Sequence, residues 1–356
     1  MNIAIYLPGW IGDAVMATPC LRAVRKTFPE AKITAIAKPY VLGALEGGNW
    51  FDELWPVSSK GLDQGLMAMV ARLRQKKFDY ALLLPNSFRS AFTVFLGGCR
   101  RRIGYARSGR SLLLTDKVKP VYDDKGGFKP SPVVDAYNTL AMQMGCPDPG
   151  HGLHLFTTEK DEQAADQVWN SLGWDRTEEV VCLNTGGAFG LAKLWPSSSF
   201  SILAKKMVSA RNCKVLILCG PSEKDLALRI ARDASDPRIQ ALAAHTQPCQ
   251  PQGPSLSLGL SKAIVRRSNL LVTTDSGPRH FAHAFNRPVV TLFGPTHIAW
   301  TETYHPKAIH LQEKVSCGPC QKRVCPLDHR CMTQLSPERV YQASVTLLDS
   351  NKKEAA

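Results

Sequence analysis

The sequence predicts an α/β protein built from two parallel-sheet domains. Strand-like and helix-like segments alternate from the first residue. A stretch rich in proline and glycine, GCPDPGHG at 145–152, interrupts them, and a second alternating series follows. Alternation of this kind argues for parallel strands joined by crossover helices. A chain of 356 residues suits two domains at roughly 150 residues each. With 44% hydrophobic residues it can build ordinary buried cores.

In the first series NIAIYL (2–7) is a short β-rich run, and KITAIA (32–37) and DYALLL (79–84) are its successors. Between them Ala14, Ala17, Leu21, Val24 and Phe28 recur at three- and four-residue spacing, the mark of one helix face. Further helices are expected at 62–76 and from 87. In the second series Thr158 and Asp161 form a capping box and Gly173 ends the helix that follows. Strands are expected at 179–184, 214–220, 269–274 and 288–293. Helices are expected at 197–211, from 222, at 256–267, at 278–286 and at 336–349. The expected organisation is an N-terminal domain over 1–160, a second over 175–335, and a C-terminal helix and tail over 336–356.

The formal charge is +14. Such a balance suits nucleic acid, an anionic membrane face or an anionic substrate. Part of it is local: Tyr80 to Thr115 holds Arg89, Arg100, Arg101, Arg102, Arg107 and Arg110, with no acid or lysine. This stretch reads either as a solvated surface or as a docking face for something phosphorylated. No apolar run approaches the roughly 18 residues that span a bilayer. The N-terminus lacks a basic n-region, and Asp13 interrupts its apolar stretch, so no signal peptide is expected. The sequence thus predicts a soluble, cytoplasmic chain whose eleven cysteines are thiols or metal ligands.

In open parallel sheets ligands bind beyond the carboxyl ends of the strands, so the loops there are the candidates for chemistry. TTDSGPRHFAHAFNRPVVTLFGPT (273–296) ends a strand in Asp275, Ser276 and Gly277 and opens a helix at Pro278. Gly277 allows close backbone approach, and the helix N-terminus favours an anion such as a diphosphate. His280 in the first turn suits donation to a phosphate or a leaving oxygen. Asp275 suits anchoring of the loop or of a sugar hydroxyl. NTGGAFGLAKLWP (184–196) follows another strand with three glycines and then Lys193, a point charge for a phosphate. It lacks P-loop spacing, and no Gly-x-Gly-x-x-Gly follows a strand. Glu223 in CGPSEKD (219–225) suits ribose hydroxyls or a helix N-terminus. LPNSFRSA (84–91) carries Asn86 and Ser87, either an ordinary N-cap, and Arg89.

Asp13 is the only acid among the first 29 residues and follows a Pro-Gly-x-x-Gly turn. By itself it reads as an acid complementing a helix N-terminus. Cys317, Cys320, Cys325 and Cys331 fall within 15 residues. They resemble a structural zinc or iron–sulfur ligand set, or a thiol-rich loop.

GWIGDAVMATP, LPNSFRSA, GGAFGLAKLWP and TTDSGPRHFAHAFNRPVVTLFGPT, in this order, resemble the lipopolysaccharide heptosyltransferases over residues 2–345. The resemblance implies a GT-B fold: two Rossmann-like domains facing a cleft, with the acceptor in the first and the nucleotide sugar in the second. It implies inverting transfer of heptose from ADP-heptose to the inner core of lipopolysaccharide. The setting it implies is the cytoplasmic face of the inner membrane, with peripheral membrane contact, no nucleic acid and no cofactor needed for catalysis. It assigns Asp13 as general base. It places Lys193, Glu223, Asp275, Ser276, Gly277 and His280, with Thr185, Gly187 and Ala188, around the nucleotide sugar. Gly12, Asn86, Ser87 and Arg89 fall on the acceptor side. Two alternatives remain open. One is a GT-B enzyme using another nucleotide sugar or adding the first heptose to Kdo. The other, more remote, is a metal-bearing nucleic-acid-binding protein.

Overall fold

Contacts divide the chain into two compact units, residues 1–156 with 299–304 and residues 157–298 with 305–356. The computed structural model describes residues 1–57, 65–124, 126–187 and 189–355.

The first unit contains β1 (Asn2–Tyr6), α1 (Ile11–Met16), α2 (Thr18–Thr27), β2 (Lys32–Ala37), α3 (Pro39–Ala44) and β3 (Glu53–Pro56). It continues with α4 (Leu66–Lys76), β4 (Tyr80–Leu83), α5 (Phe88–Leu96), β5 (Arg101–Tyr105), β6 (Asp116–Val118) and α6 (Val133–Gln143). Its sheet runs β3-β2-β1-β4-β5-β6, with every pair parallel. The central strands are buried on both faces: Ile3, Ala4, Ile5, Ala35, Ile36, Ala81, Leu82 and Leu83 are each within 1% of full burial. The part of the expected 62–76 helix at 62–64 lies outside the described residues.

The helix expected after β1 is two helices. Pro19 has no N–H to give the carbonyl of Val15, so the ladder fails at that point. The Thr18 hydroxyl donates to that carbonyl instead, at 2.7 Å. The same oxygen accepts from the backbone N–H of His154 at 3.0 Å. The break therefore costs no unsatisfied buried carbonyl.

The second unit contains α7 (Glu159–Leu172), β7 (Val180–Asn184), α8 (Ser197–Arg211), β8 (Lys214–Leu218), α9 (Lys224–Ala234) and β9 (Ile239–Ala241). After these come α10 (Leu258–Arg267), β10 (Leu270–Thr274), α11 (Gly277–Ala284), β11 (Val289–Phe293), β12 (Ala308–Gln312), α12 (Arg330–Thr333) and α13 (Pro337–Ala355). Its sheet is β12-β11-β10-β7-β8-β9, again all parallel. The capping box at α7 is present: Thr158 accepts from the amide of Asp161, Asp161 accepts from that of Thr158, and Gly173 closes the helix in the left-handed region. Phe200, Leu203, Met207, Val215, Ile217, Leu292 and Leu348 are among the residues of one apolar core.

Both sheets reverse direction of growth beside a central strand, between β1 and β4 in one and between β7 and β10 in the other. The crevice beyond such a reversal is where a parallel sheet offers a ligand site. The loops singled out in the sequence are the ones that leave these four strands.

Candidate functional site

In the second unit the loops after β7 and β10 are knitted together by side chains from the strand ends. Asn184 donates to Thr273 Oγ1 (2.9 Å), to Ser276 Oγ (3.0 Å) and to the carbonyl of Gly186 (3.1 Å). Thr274 donates to that same carbonyl at 3.3 Å. Ser276 is the residue preceding α11, with Gly277 and Pro278 as its first two helical residues. Gly187 lies against Ser276, so the glycine loop and the start of α11 share one place.

Asp275 is the centre of this arrangement and is almost fully buried. Lys193 donates to its carboxylate at 2.6 Å and to its backbone carbonyl at 2.9 Å. Thr296 donates to the carboxylate at 2.8 Å, and Arg279 reaches its other oxygen at 3.5 Å. Burial opposes the charge on Asp275, but the Lys193 and Arg279 cations outweigh it and bring its pKa down to about 2. Arg279 also lies over the Phe293 ring, 5.0 Å from its centre, and contacts His310 at 3.2 Å. Two buried cations thus face one buried carboxylate at a helix N-terminus. The first amides of such a helix, with cations beside them, suit an anion.

His280 is buried, and its Nδ1 has no hydrogen-bond partner. Burial first, then the neighbouring Arg279, push its pKa well below 6.5, so it stands as a neutral imidazole. The Thr185 hydroxyl is likewise buried without a partner. Glu223 accepts from the amide of Gly220 at 2.8 Å, and its carboxylate lies where a side chain on Gly186 would have to go. Ala188 lies outside the described residues. Thr185, Gly187, Lys193, Glu223, Asp275, Ser276, Gly277 and His280 therefore belong to one region. Arg279, Thr296 and Asn184 were not singled out in the sequence. The first two stand inside the quoted 273–296 stretch, but their contacts are with other protein groups and carry no spacing signal.

The cysteine-rich loop braces this region. Its Arg323 carbonyl accepts from the amide of Ala192 at 3.0 Å, and His329 donates to the carbonyl of Ala192 at 2.8 Å. The amide of Gln321 donates to the carbonyl of Pro295 at 2.8 Å. Gly190, at φ 150°, meets Arg323 so closely that a Cβ would strike its carbonyl. Cys325, Cys317 and Cys320 lie near enough to add to burial in raising the pKa of Cys331. Among the described residues, however, no group of three or more His, Cys, Asp or Glu is placed to hold a metal ion. Cys317 and Cys320 are exposed, Cys325 is half-buried and Cys331 is buried.

In the first unit a cavity of about 680 Å³ opens beyond β1 and β4. Asp13, Asn86 and Ser87 line it, with Lys38, Tyr105, Arg107, Lys129, Asp135 and Trp300. Asp13 is the third residue of α1, and its charge adds to burial in raising the pKa of Tyr137. Ser87 caps α5, accepting from the amide of Ser90 at 3.4 Å. Gly12 is the second residue of α1. Arg89 lines a neighbouring cavity of about 550 Å³.

The arginine stretch is not one uniform face. Arg110 is fully buried and donates to Tyr105 O (2.9 Å), to Pro85 O and to Asn86 Oδ1 (2.9 Å), so it fixes the loop after β4. Burial lowers its pKa to about 10, which keeps it charged near neutral pH. Arg101 pairs with Asp116. Arg107 lies over the Phe128 ring at 3.6 Å, at the cavity wall. Arg89 and Arg100 remain toward solvent, and half-buried Arg102 donates to the carbonyls of Leu113 and Cys99, each at 2.7 Å.

Two nucleotide-fold sheets with polar loops at both reversal points define a glycosyltransferase of the GT-B kind. The family model of glycosyltransferase family 9 (heptosyltransferase) matches residues 66–330, and the chain belongs to that family. It is 27% identical to lipopolysaccharide heptosyltransferase 2 of Escherichia coli K12, over 98% of this chain and 99% of that protein. It is 26% identical to lipooligosaccharide heptosyltransferase 2 of Campylobacter jejuni, over 99% of both. The solved structure of E. coli ADP-heptose LPS heptosyltransferase II superposes with a TM-score of 0.76 at 24% identity, covering 99% of this chain and 100% of that one. A family 9 glycosyltransferase from Veillonella parvula gives 0.80 at 23% identity, covering 98% and 97%.

Proposed function

We propose that this enzyme moves L-glycero-D-manno-heptose from ADP-heptose to the heptosyl-Kdo2-lipid A inner core of lipopolysaccharide, inverting the anomeric centre. The observation that carries the donor side is the placement of the Lys193 and Arg279 cations beside the N-terminus of α11. A diphosphate is an anion that such a place suits. The names of the relatives at 26–27% identity support heptose as the sugar.

In this reading the acceptor occupies the Asp13 cavity, and its anionic groups are met by Lys38, Arg107 and Lys129 on the cavity wall. Asp13 takes the proton of the attacking hydroxyl as its oxygen closes on C1 of the heptose. The C1–O bond to ADP breaks through an oxocarbenium-like state. The charge that gathers on the departing diphosphate is stabilised by the first amides of α11, by Lys193 and by Arg279. Neutral His280 suits donation without repelling either cation. The reaction runs on these protein groups, and a structural zinc or iron–sulfur centre on the four cysteines forms no part of it. The setting proposed is the cytoplasmic face of the inner membrane, in peripheral contact with it.

The test is release of ADP when ADP-heptose meets Kdo2-lipid A already bearing one heptose. Turnover with UDP or GDP sugars in place of ADP-heptose overturns the donor. Turnover only on Kdo2-lipid A without heptose overturns the acceptor.

A further inference from the structure

Helix α5 buries its small residues Ser90, Ala91, Thr93 and Val94 and leaves large aromatic ones outside. Its sequence is FRSAFTVFL. The polar Ser90 and Thr93 are buried, and each spends its hydroxyl on its own backbone: Ser90 donates to Ser87 O at 2.9 Å and Thr93 to Arg89 O at 2.7 Å. The aromatic residues Phe88, Phe92 and Phe95 follow at spacings of four and three, on one face. Phe88 is 50% and Phe95 45% exposed, and Phe92 stacks on Phe88 at 5.8 Å. The 3-10 turn Ser111–Leu113 packs against α5 and presents Leu112 at 91% exposure. A contiguous apolar face of this kind is unfavourable in water unless something covers it.

The charges around it are mostly positive, with Asp79 and Asp116 at the edge. Arg89 is the only charged residue of α5. The Arg102 guanidinium lies over the Phe95 ring at 5.4 Å, and Arg74 donates to the carbonyl of Leu96 at 2.9 Å. Arg100 stands 82% exposed, with Asp79 at 3.6 Å. No acid occurs between Tyr80 and Thr115. Exposed phenylalanines edged by arginines are what an interfacial helix presents to an anionic bilayer: rings enter the headgroup boundary and guanidiniums meet lipid phosphates.

We propose that Phe88, Phe92, Phe95 and Leu112, rimmed by Arg74, Arg89, Arg100 and Arg102, form the surface by which the protein docks on an anionic phospholipid bilayer, α5 lying in the interface plane. The inference rests on the reading of a lipid-anchored acceptor and gives that reading its membrane-facing side. Arg89 and Ser90 also line the cavity of about 550 Å³, so the docking face adjoins an opening into the first unit.

The experiment is flotation of the full chain with vesicles of phosphatidylcholine, with or without phosphatidylglycerol, at low and high salt. The wild type is expected to float with the anionic vesicles and to be released by salt. The triple variant Phe88→Ser/Phe92→Ser/Phe95→Ser is expected to lose at least about tenfold in vesicle binding while keeping its thermal unfolding midpoint. Should that variant fold poorly, Leu112→Ser with Arg100→Glu is the second arm. Both arms are expected to keep ADP release on a delipidated, water-soluble core acceptor. Vesicle binding that is unchanged in the variants, or absent in the wild type, overturns the proposal. So does a dimer that the phenylalanine substitutions dissolve, because the face then belongs to a second copy of the chain. Absence of turnover on the soluble acceptor by the wild type counts against the proposed reaction instead and leaves the flotation result standing.

Discussion

Lys193 and Asp275 are joined twice, through the carboxylate at 2.6 Å and through the backbone carbonyl at 2.9 Å. The pair holds the turn after β7 against the loop after β10, so a cation read from sequence as a free phosphate ligand is also a fastening. Replacing it with Lys193→Met strands a buried carboxylate beside Arg279. The expected cost is about 3 kcal/mol of stability, measured by urea unfolding, together with loss of ADP affinity in calorimetry. Adding Asp275→Asn should restore part of the stability and none of the affinity.

Asp13→Asn keeps size and helix position and removes the base. Turnover is expected to fall by at least about a hundredfold, with ADP binding and the unfolding midpoint unchanged. Comparable turnover in the variant would remove Asp13 from the proton transfer.

Acid should weaken the fold in two windows. His154, His245, His280 and His305 all have pKa values lowered, in each case by burial first. The unfolded chain takes up these protons near pH 6.5 and the folded one does not. Stability is therefore full above that value and falls below it, with buried His280 alone contributing a slope of up to about 1.4 kcal/mol per pH unit. Asp275 acts lower: its stabilisation is present above 3.8 and is lost as pH falls toward about 2. Chemical unfolding between pH 8 and 5, in wild type and His280→Gln, isolates the first window.

Thr18→Val removes the donor to Val15 and the acceptor for His154 without changing shape. The expected loss is about 2 kcal/mol, seen in thermal unfolding, while ADP affinity in the other unit stays as it was.

Gly186→Ala places a methyl group where the Glu223 carboxylate lies. Glu223 must leave the amide of Gly220, and the expected result is a fall in ADP affinity of roughly tenfold, about 1.4 kcal/mol, with little change in turnover at saturating donor.

The strands that carry both sites were readable because they are buried on both faces, and VVCLN, LLVTT and VVTLF are rich in apolar and β-branched residues. The outer strands were not. ELWP and DKV are short and polar, and RRIGY opens on two arginines, one of which pairs with Asp116 on the adjacent strand. The split of α1 from α2 was hidden because Ala14, Ala17, Leu21 and Val24 keep helical spacing through the break, and only Pro19 marks it. Lys193, Asp275 and Ser276 were legible as polar residues at strand ends. Thr296 and Arg279 act on Asp275, and a residue whose partner is another side chain leaves no periodic trace. The six arginines show the converse. Their count suggested one face, but Arg110 is an internal strut and Arg101 is paired.

The loop from Cys317 to Cys331 is synthesised well after Ala192, yet it holds Ala192 from both sides and touches Pro295. The Trp195 indole likewise donates to the carbonyl of Leu335 at 2.9 Å. On the ribosome, then, the turn bearing Lys193 waits for more than a hundred later residues before its fastenings exist. The turn bearing Lys193 is fastened only after that loop has been made, so a nascent chain stalled before it carries the turn without these supports.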